Sequence, residues 1–186
     1  MDGNRFPGPY AACIGQACGL EPTAKEQWRS SKYVIFYGAA TLSDLLTAPI
    51  PVDDHHTTED TFLALGAAFS TALGPRTGLK RFANASCPLD EALSTAVIDL
   101  SNRPFFVGNF DFQGPMIGTL NSQMIHHGLQ SWSQAAGVTL HVDVIRGSND
   151  HHRAESAFKA LAVACRKACK RVVGREGEVV STKGVL

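Results

Sequence analysis

The sequence predicts a two-layer α/β fold built from a duplicated unit. Three observations lead there. Apolar residues recur at helical spacing in three long segments, strand-like runs separate those segments, and one histidine-rich motif occurs twice, 96 residues apart.

The elements follow in order. Residues 1–31 are rich in Gly, Pro and polar residues without a sustained period and predict loop or poorly ordered chain. Residues 33–37 (Tyr-Val-Ile-Phe-Tyr) have strand composition, and residues 40–46 suit a short helix before Pro49 and Pro51. From 57 to 73, Phe62, Leu65, Phe69 and Leu73 recur at three- and four-residue steps until Gly74-Pro75, which predicts a helix. Residues 90–94 open a helical or turn element, 96–100 read as a buried strand, and 105–112 as another. A helix over 124–136 turns Trp132 inward and ends at Gly137, and 138–145 alternate as a strand up to a turn at Gly147. Residues 153–171 predict a last helix with Phe158, Leu161, Ala162, Cys165 and Cys169 on one face. The tail after Gly174 is expected to be extended.

Composition narrows the function classes. A chain of 186 residues has the size of one domain and buries roughly two-thirds of its unfolded surface. It contains no run of 18 apolar residues, so no membrane partner is expected. Lys plus Arg equals Asp plus Glu at 17 each, which leaves no global positive field to hold nucleic acid. Cys13, Cys18, Cys87, Cys165 and Cys169 form no C-x-x-C pair, and their odd number speaks against a closed disulfide framework. A cytoplasmic location is the expectation. The opening residues lack the basic and apolar regions of a secretory signal, and Asp2 and Glu21 weigh against a transit peptide.

Six of the seven histidines stand in adjacent pairs: His55-His56, His126-His127 and His151-His152. Around the first and third the text nearly repeats, Asp54-His-His-Thr-Thr-Glu59 against Asp150-His-His-Arg-Ala-Glu155, and the offset persists as Phe62 with Phe158, Ala64 with Ala160, Leu65 with Leu161 and Ala68 with Ala164. Neighbouring side chains at a helix start diverge, while a glutamate three or four residues on shares a face with one of them. One motif can therefore address two metals. Imidazole and carboxylate without thiolate suit manganese, iron or zinc as a working ion rather than a structural zinc. A plainer reading makes Asp54 and Asp150 helix N-caps with surface histidines, but a cap needs only the aspartate. Of the middle pair, His127 is the expected ligand. His141, alone in an alternating strand, reads as a satisfied structural histidine.

These residues resemble a known family. Residues 53–60 (Asp-Asp-His-His-Thr-Thr-Glu-Asp), 88–94 (Pro-Leu-Asp-Glu-Ala-Leu-Ser), 99–104 (Asp-Leu-Ser-Asn-Arg-Pro), 139–143 (Thr-Leu-His-Val-Asp), 149–160 and 181–186 (Ser-Thr-Lys-Gly-Val-Leu) are similar to imidazoleglycerol-phosphate dehydratases. The resemblance covers 53–186. It implies two similar halves, each a four-stranded sheet with helices on one face, and an assembly of 24 subunits binding two manganese ions per active site between neighbouring chains. It implies the metal ligands His55, His56, Glu59, His127, His151, His152 and Glu155, and Glu155 as the catalytic carboxylate. It implies Arg81, Arg103, Lys159, Ser181 and Lys183 as ligands of the substrate phosphate. The reaction implied is dehydration of D-erythro-imidazole glycerol phosphate to imidazole acetol phosphate in L-histidine biosynthesis.

Residues 1–52 are expected not to match. The family's Arg-x-Thr-x-Glu strand and Thr-Gly-x-x-Phe-x-Asp-His-Met segment are absent, and no histidine precedes His55 to serve as an eighth ligand. The first half is therefore expected to be incomplete, with Phe62, Leu65 and Phe69 exposed where opening strands would lie. Ala83 stands where the family favours Gly, and Gly128 where it favours a bulky aromatic. The alternative to an active dehydratase is an impaired member that binds metal without turnover. A zinc hydrolase fits less well, because the glutamate does not lie between the histidines as in H-E-x-x-H.

Overall fold

The structure is a computed structural model, and it describes residues 53–184. The strand and helix predicted at 33–37 and 40–46 lie outside the described residues. Helix α1 (Asp54–Leu73) leads to β1 (Phe82–Leu89), β2 (Ala92–Asp99), β3 (Phe105–Asn109), the short β4 (Met116–Ile117) and β5 (Leu120–Asn121), α2 (Gln123–Ala136), β6 (Thr139–Arg146) and α3 (Asp150–Ala168). Four strands make one sheet in the order β1-β2-β6-β3, antiparallel except for the β3–β6 pair, and β4 pairs with β5.

The sheet has one covered and one open face. Ala83, Ala85, Ala96, Ile98, Leu140 and Val142 are buried beneath α2 and α3. The alternate residues point the other way, leaving Phe82, Val97, Phe105, Val107 and Ile145 exposed. His141, expected to be a satisfied structural histidine, belongs to that open face and is exposed. Its odd position in β6 decides this. Strand β1 was not predicted: its fully buried residues are two alanines, and Asn84, Ser86 and Pro88 dilute the pattern outward. Pro88 is tolerated because β1 is an edge strand. Residues 90–94 are not helical. Asp90 and Glu91 form a tight turn, Asp90 taking φ 46, and Ala92–Ser94 already belong to β2.

The helices sit slightly differently from their predicted faces. On α3 the closest packing uses Ala157, Ala160, Ala164 and Ala168, with Phe158, Ala162, Cys165 and Cys169 at the flank, because small side chains let helix and sheet approach. The helix ends at Ala168 rather than Arg171. Gly137 caps α2 in the left-handed conformation (φ 64), and the Arg76 guanidinium donates to the Gly137 and Ala136 carbonyls at 2.7 and 2.8 Å. The tail after Gly174 is a succession of turns rather than extended, closed by bonds such as Glu178 N to Arg175 O. No helix among the described residues is long and apolar enough to cross a membrane.

Helices α1 and α2 run side by side in the same direction, His55 by His127 and Gly66 by Trp132. The repeat is visible in space, since Phe62 and its counterpart Phe158 meet with ring centroids 6.4 Å apart. The two copies differ in cover. Ala160, Leu161 and Ala164 are buried against the sheet, whereas Ala64 is exposed, Leu65 is 45% exposed and Ala68 half-buried.

Phe62 also explains Gly128. A Cβ there would lie 2.7 Å from the Phe62 ring, so the glycine yields the space that the phenylalanine fills. Gly128→Phe alone is expected to destabilise the chain by about 1–3 kcal/mol or more through overpacking, and Phe62→Ala in the same chain to relieve it. Urea unfolding of both singles and the double variant checks this. Strict additivity would show that the two positions do not compete for one space.

Candidate metal centre

The paired histidines sit where they do because both motifs start helices. Asp53 and Asn149, one residue earlier than the aspartates predicted as N-caps, cap α1 and α3 through bonds from His56 N at 2.9 Å and from His151 N at 2.9 Å. Asp54 and Asp150 lie inside the first turns. Asp150 accepts instead from the Gln113 and Gly114 amides, at 3.0 and 2.8 Å, and ties that loop to α3.

His55, Glu59 and His127 come together, each with a ligand atom within 4.8 Å of the others. The His55 and His127 rings stack with centroids 4.2 Å apart, and His127 Nε2 is 3.8 Å from Glu59 Oε2. That nitrogen is buried without a hydrogen-bond partner, a state costing about 1–3 kcal/mol unless something else satisfies it. A cation among two imidazoles and a carboxylate would do so. His126, the other member of its pair, is exposed beside Phe106. In the second copy, His151 Nε2 is 3.3 Å from Glu155 Oε2, the same i,i+4 relation as His55 with Glu59.

His56 and His152 turn away from these partners, as the divergence of neighbouring side chains requires. His56 Nδ1 meets Asp53 Oδ1 at 2.8 Å, and His152 Nδ1 meets Glu91 Oε2 at 2.7 Å. Both imidazoles are held above their ordinary range, chiefly by those hydrogen bonds, and both carboxylates are held low. Neither Asp53 nor Glu91 was assigned from sequence, although each lies inside a motif quoted above. Glu155 is kept low by its bond to Lys159 Nζ at 2.9 Å, so Lys159 stands beside the histidines.

The remaining anion-binding candidates lie elsewhere. Arg81, far from solvated, is buried with φ 74; Nε and Nη2 bond Asp99 at 2.7 and 3.1 Å, and Nη1 donates to Val180 O. Its backbone N bonds Ala168 O at the end of α3. Ser181 adjoins Val180, its hydroxyl accepting from Lys183 N at 3.2 Å. Arg103 is exposed, its carbonyl held by Thr139 Oγ1 at 2.9 Å at the start of β6. Phe82, Asp99, Thr139 and Phe105 make one cross-strand row at this end of the sheet. The histidines are at the other end, about 25 Å away along α3 at 1.5 Å per residue.

A two-layer domain that gathers imidazoles and carboxylates at the starts of its helices carries the donor groups of a candidate divalent-metal site. A family model for imidazoleglycerol-phosphate dehydratase matches residues 34–165, so the match takes in residues 34–52, which were expected not to match, and stops before the tail. The chain belongs to the imidazoleglycerol-phosphate dehydratase family. It is 63% identical over 135 residues to the Neurospora crassa imidazoleglycerol-phosphate dehydratase, covering 73% of this chain and 59% of that protein. It is 59% identical over 149 residues to the Pyricularia oryzae protein of the same name, covering 79% and 66%. The crystal structure of the Pyrococcus furiosus enzyme in complex with (S)-C348 matches with a TM-score of 0.64 and 27% identity, over 83% of this chain and 86% of that one. The chain thus spans about 59 to 66% of the length of these two curated relatives.

Proposed function

We propose that the chain forms the active site of an imidazoleglycerol-phosphate dehydratase, removing water from D-erythro-imidazole glycerol phosphate to give imidazole acetol phosphate in L-histidine biosynthesis. One observation carries the reading: His55, Glu59 and His127 converge around a buried, unpartnered imidazole nitrogen. His55, His56, Glu59, His127, His151, His152 and Glu155 would hold two manganese ions, a hard-to-borderline ion suited to nitrogen and oxygen donors without thiolate. Bound there, the ions supply Lewis acidity for charge developing on the substrate's imidazole ring.

The chain's own groups do the rest. Glu155, ionised and held at Oε1 by Lys159, takes and returns protons through its carboxylate. Arg81, Arg103, Ser181 and Lys183 supply donors for the phosphate, with Lys159 the candidate on the histidine side. The two groups are separated by most of the length of α3, farther than a small phosphorylated imidazole reaches. One site therefore draws on two copies of the chain, in keeping with an assembly of 24 subunits. The proposed compartment is the cytoplasm, in keeping with an odd number of cysteines that form no C-x-x-C pair.

The test combines growth with metal content. In a histidine auxotroph lacking its own dehydratase the chain is expected to restore growth, and His127→Ala to abolish it. After dialysis against manganese, the protein is expected to retain more metal than a His151→Ala, His152→Ala double variant. Failure of both would sink the reading, and growth unaffected by His127→Ala would remove that residue from the site.

A further inference from the structure

We infer that Glu91, in the turn between β1 and β2, is a positioning residue that determines which nitrogen of His152 is presented to metal. The inference rests on the metal-binding reading above and deepens it. Glu91 divides its two oxygens between two tasks. Oε1 accepts from Ser148 N at 3.1 Å, Ser148 Oγ at 3.2 Å and Asn149 N at 2.9 Å, fastening the hairpin to the loop before α3. Oε2 faces His152 Nδ1 at 2.7 Å. An ionised carboxylate only accepts, so the ring hydrogen belongs on Nδ1 and the lone pair is left on Nε2. The other acid near the ring, Asp90, is 4.0 Å from Nε2 and largely exposed, which leaves that nitrogen unblocked.

A simple structural tie between hairpin and loop would need Oε1 alone. The repeat gives the second oxygen its meaning. In the first copy Asp53 caps its helix and meets the second histidine with one atom, Oδ1 accepting from His56 N and from His56 Nδ1. The position 96 residues later is Asn149, whose side-chain oxygen caps α3 but carries no charge and is engaged by the His151 and His152 amides. Glu91, from a different element, supplies the carboxylate that this copy lacks. The same constraint on the second histidine of each pair is thus met twice by unrelated residues. Carboxylates that orient metal-binding histidines typically change metal affinity 10- to 100-fold when removed.

Glu91→Gln isolates the effect. The Ser148 and Asn149 amides select the new amide oxygen, so the NH2 group faces Nδ1 and donates to it, moving the ring hydrogen onto Nε2. Mn2+ affinity, read from the electron paramagnetic resonance signal of free Mn2+ in titrations of the full chain, is expected to fall about 10- to 100-fold. The thermal midpoint of the metal-free protein is expected to stay close to wild type, and Glu91→Gln with His152→Ala to bind no more weakly than His152→Ala alone. Wild-type affinity in Glu91→Gln overturns the inference, as does a double variant weaker than His152→Ala by the full factor. If the glutamine variant does not fold, 15N-histidine labelling of the metal-free wild type at alkaline pH decides: a ring hydrogen on Nε2 of His152 overturns it. Wild type that binds no Mn2+ at all overturns the metal reading and this inference together.

Discussion

Glu155→Gln is expected to lower turnover by about 10²- to 10⁴-fold at saturating metal, the range a positioned proton-transfer group contributes. Glu155 Oε1 is bonded to the Lys159 ammonium at 2.9 Å, and Oε2 is 3.3 Å from His151 Nε2. The lysine bond is the main reason its carboxyl lies below the ordinary range, which keeps it ionised near neutrality with lone pairs for a proton while making it a weaker base than a free glutamate. Glutamine preserves the size and one oxygen but not the basicity. The loss should therefore fall on kcat more than on KM at saturating metal, while manganese retained after dialysis falls as well, because Glu155 is also a proposed ligand. Measured as single turnovers in the assembled protein, a rate within tenfold of wild type would assign the proton to another group.

Gly66→Ala is expected to destabilise the chain even though alanine favours a helix over glycine by about 1 kcal/mol at an open position. Here a Cβ would sit 2.6 Å from Trp132 O, 2.7 Å from Ala135 Cβ and 3.0 Å from Ala136 N. Two of those atoms are backbone and cannot rotate away, so α1 must lift from α2. Overpacking of this kind costs about 1–3 kcal/mol, and it outweighs the propensity gain. His55 and Glu59 ride on α1, so the metal cluster should loosen in step. A urea midpoint at or above wild type would show that the crossing has slack.

The long periodic elements were legible because their apolar spacing is strong: α1, α2, β6 and α3 fall within a few residues of their predicted bounds. Strand β1 was not legible, since Ala83 and Ala85 carry little hydrophobic signal and its pairing with β2 decides its structure. Helix faces were misjudged where bulk was taken as the sign of burial. The closest contacts are made by Gly66, Ala157 and Ala160, and Leu65 points outward. At the candidate site the repeat singled out the candidate ligand types, but the carboxylates bonded to the second histidines needed a comparison one residue earlier, Asp53 against Asn149. The loss of charge there is the signal that another acid must be sought. The separation of Arg81 from the histidines could not be read from spacing, because it depends on which end of α3 each loop returns to.

That separation has a geometric consequence. On the proposed reading, the histidine end of one chain meets the arginine end of another, so each contact joins unlike regions of the surface. A two-fold pair meets this condition reciprocally, each histidine end against the other copy's arginine end, whereas a head-to-tail contact meets it for every copy only when rotation returns the last copy to the first. Closed symmetry is then a condition for every site being filled, and an open filament would leave one histidine end and one arginine end unpaired at its tips.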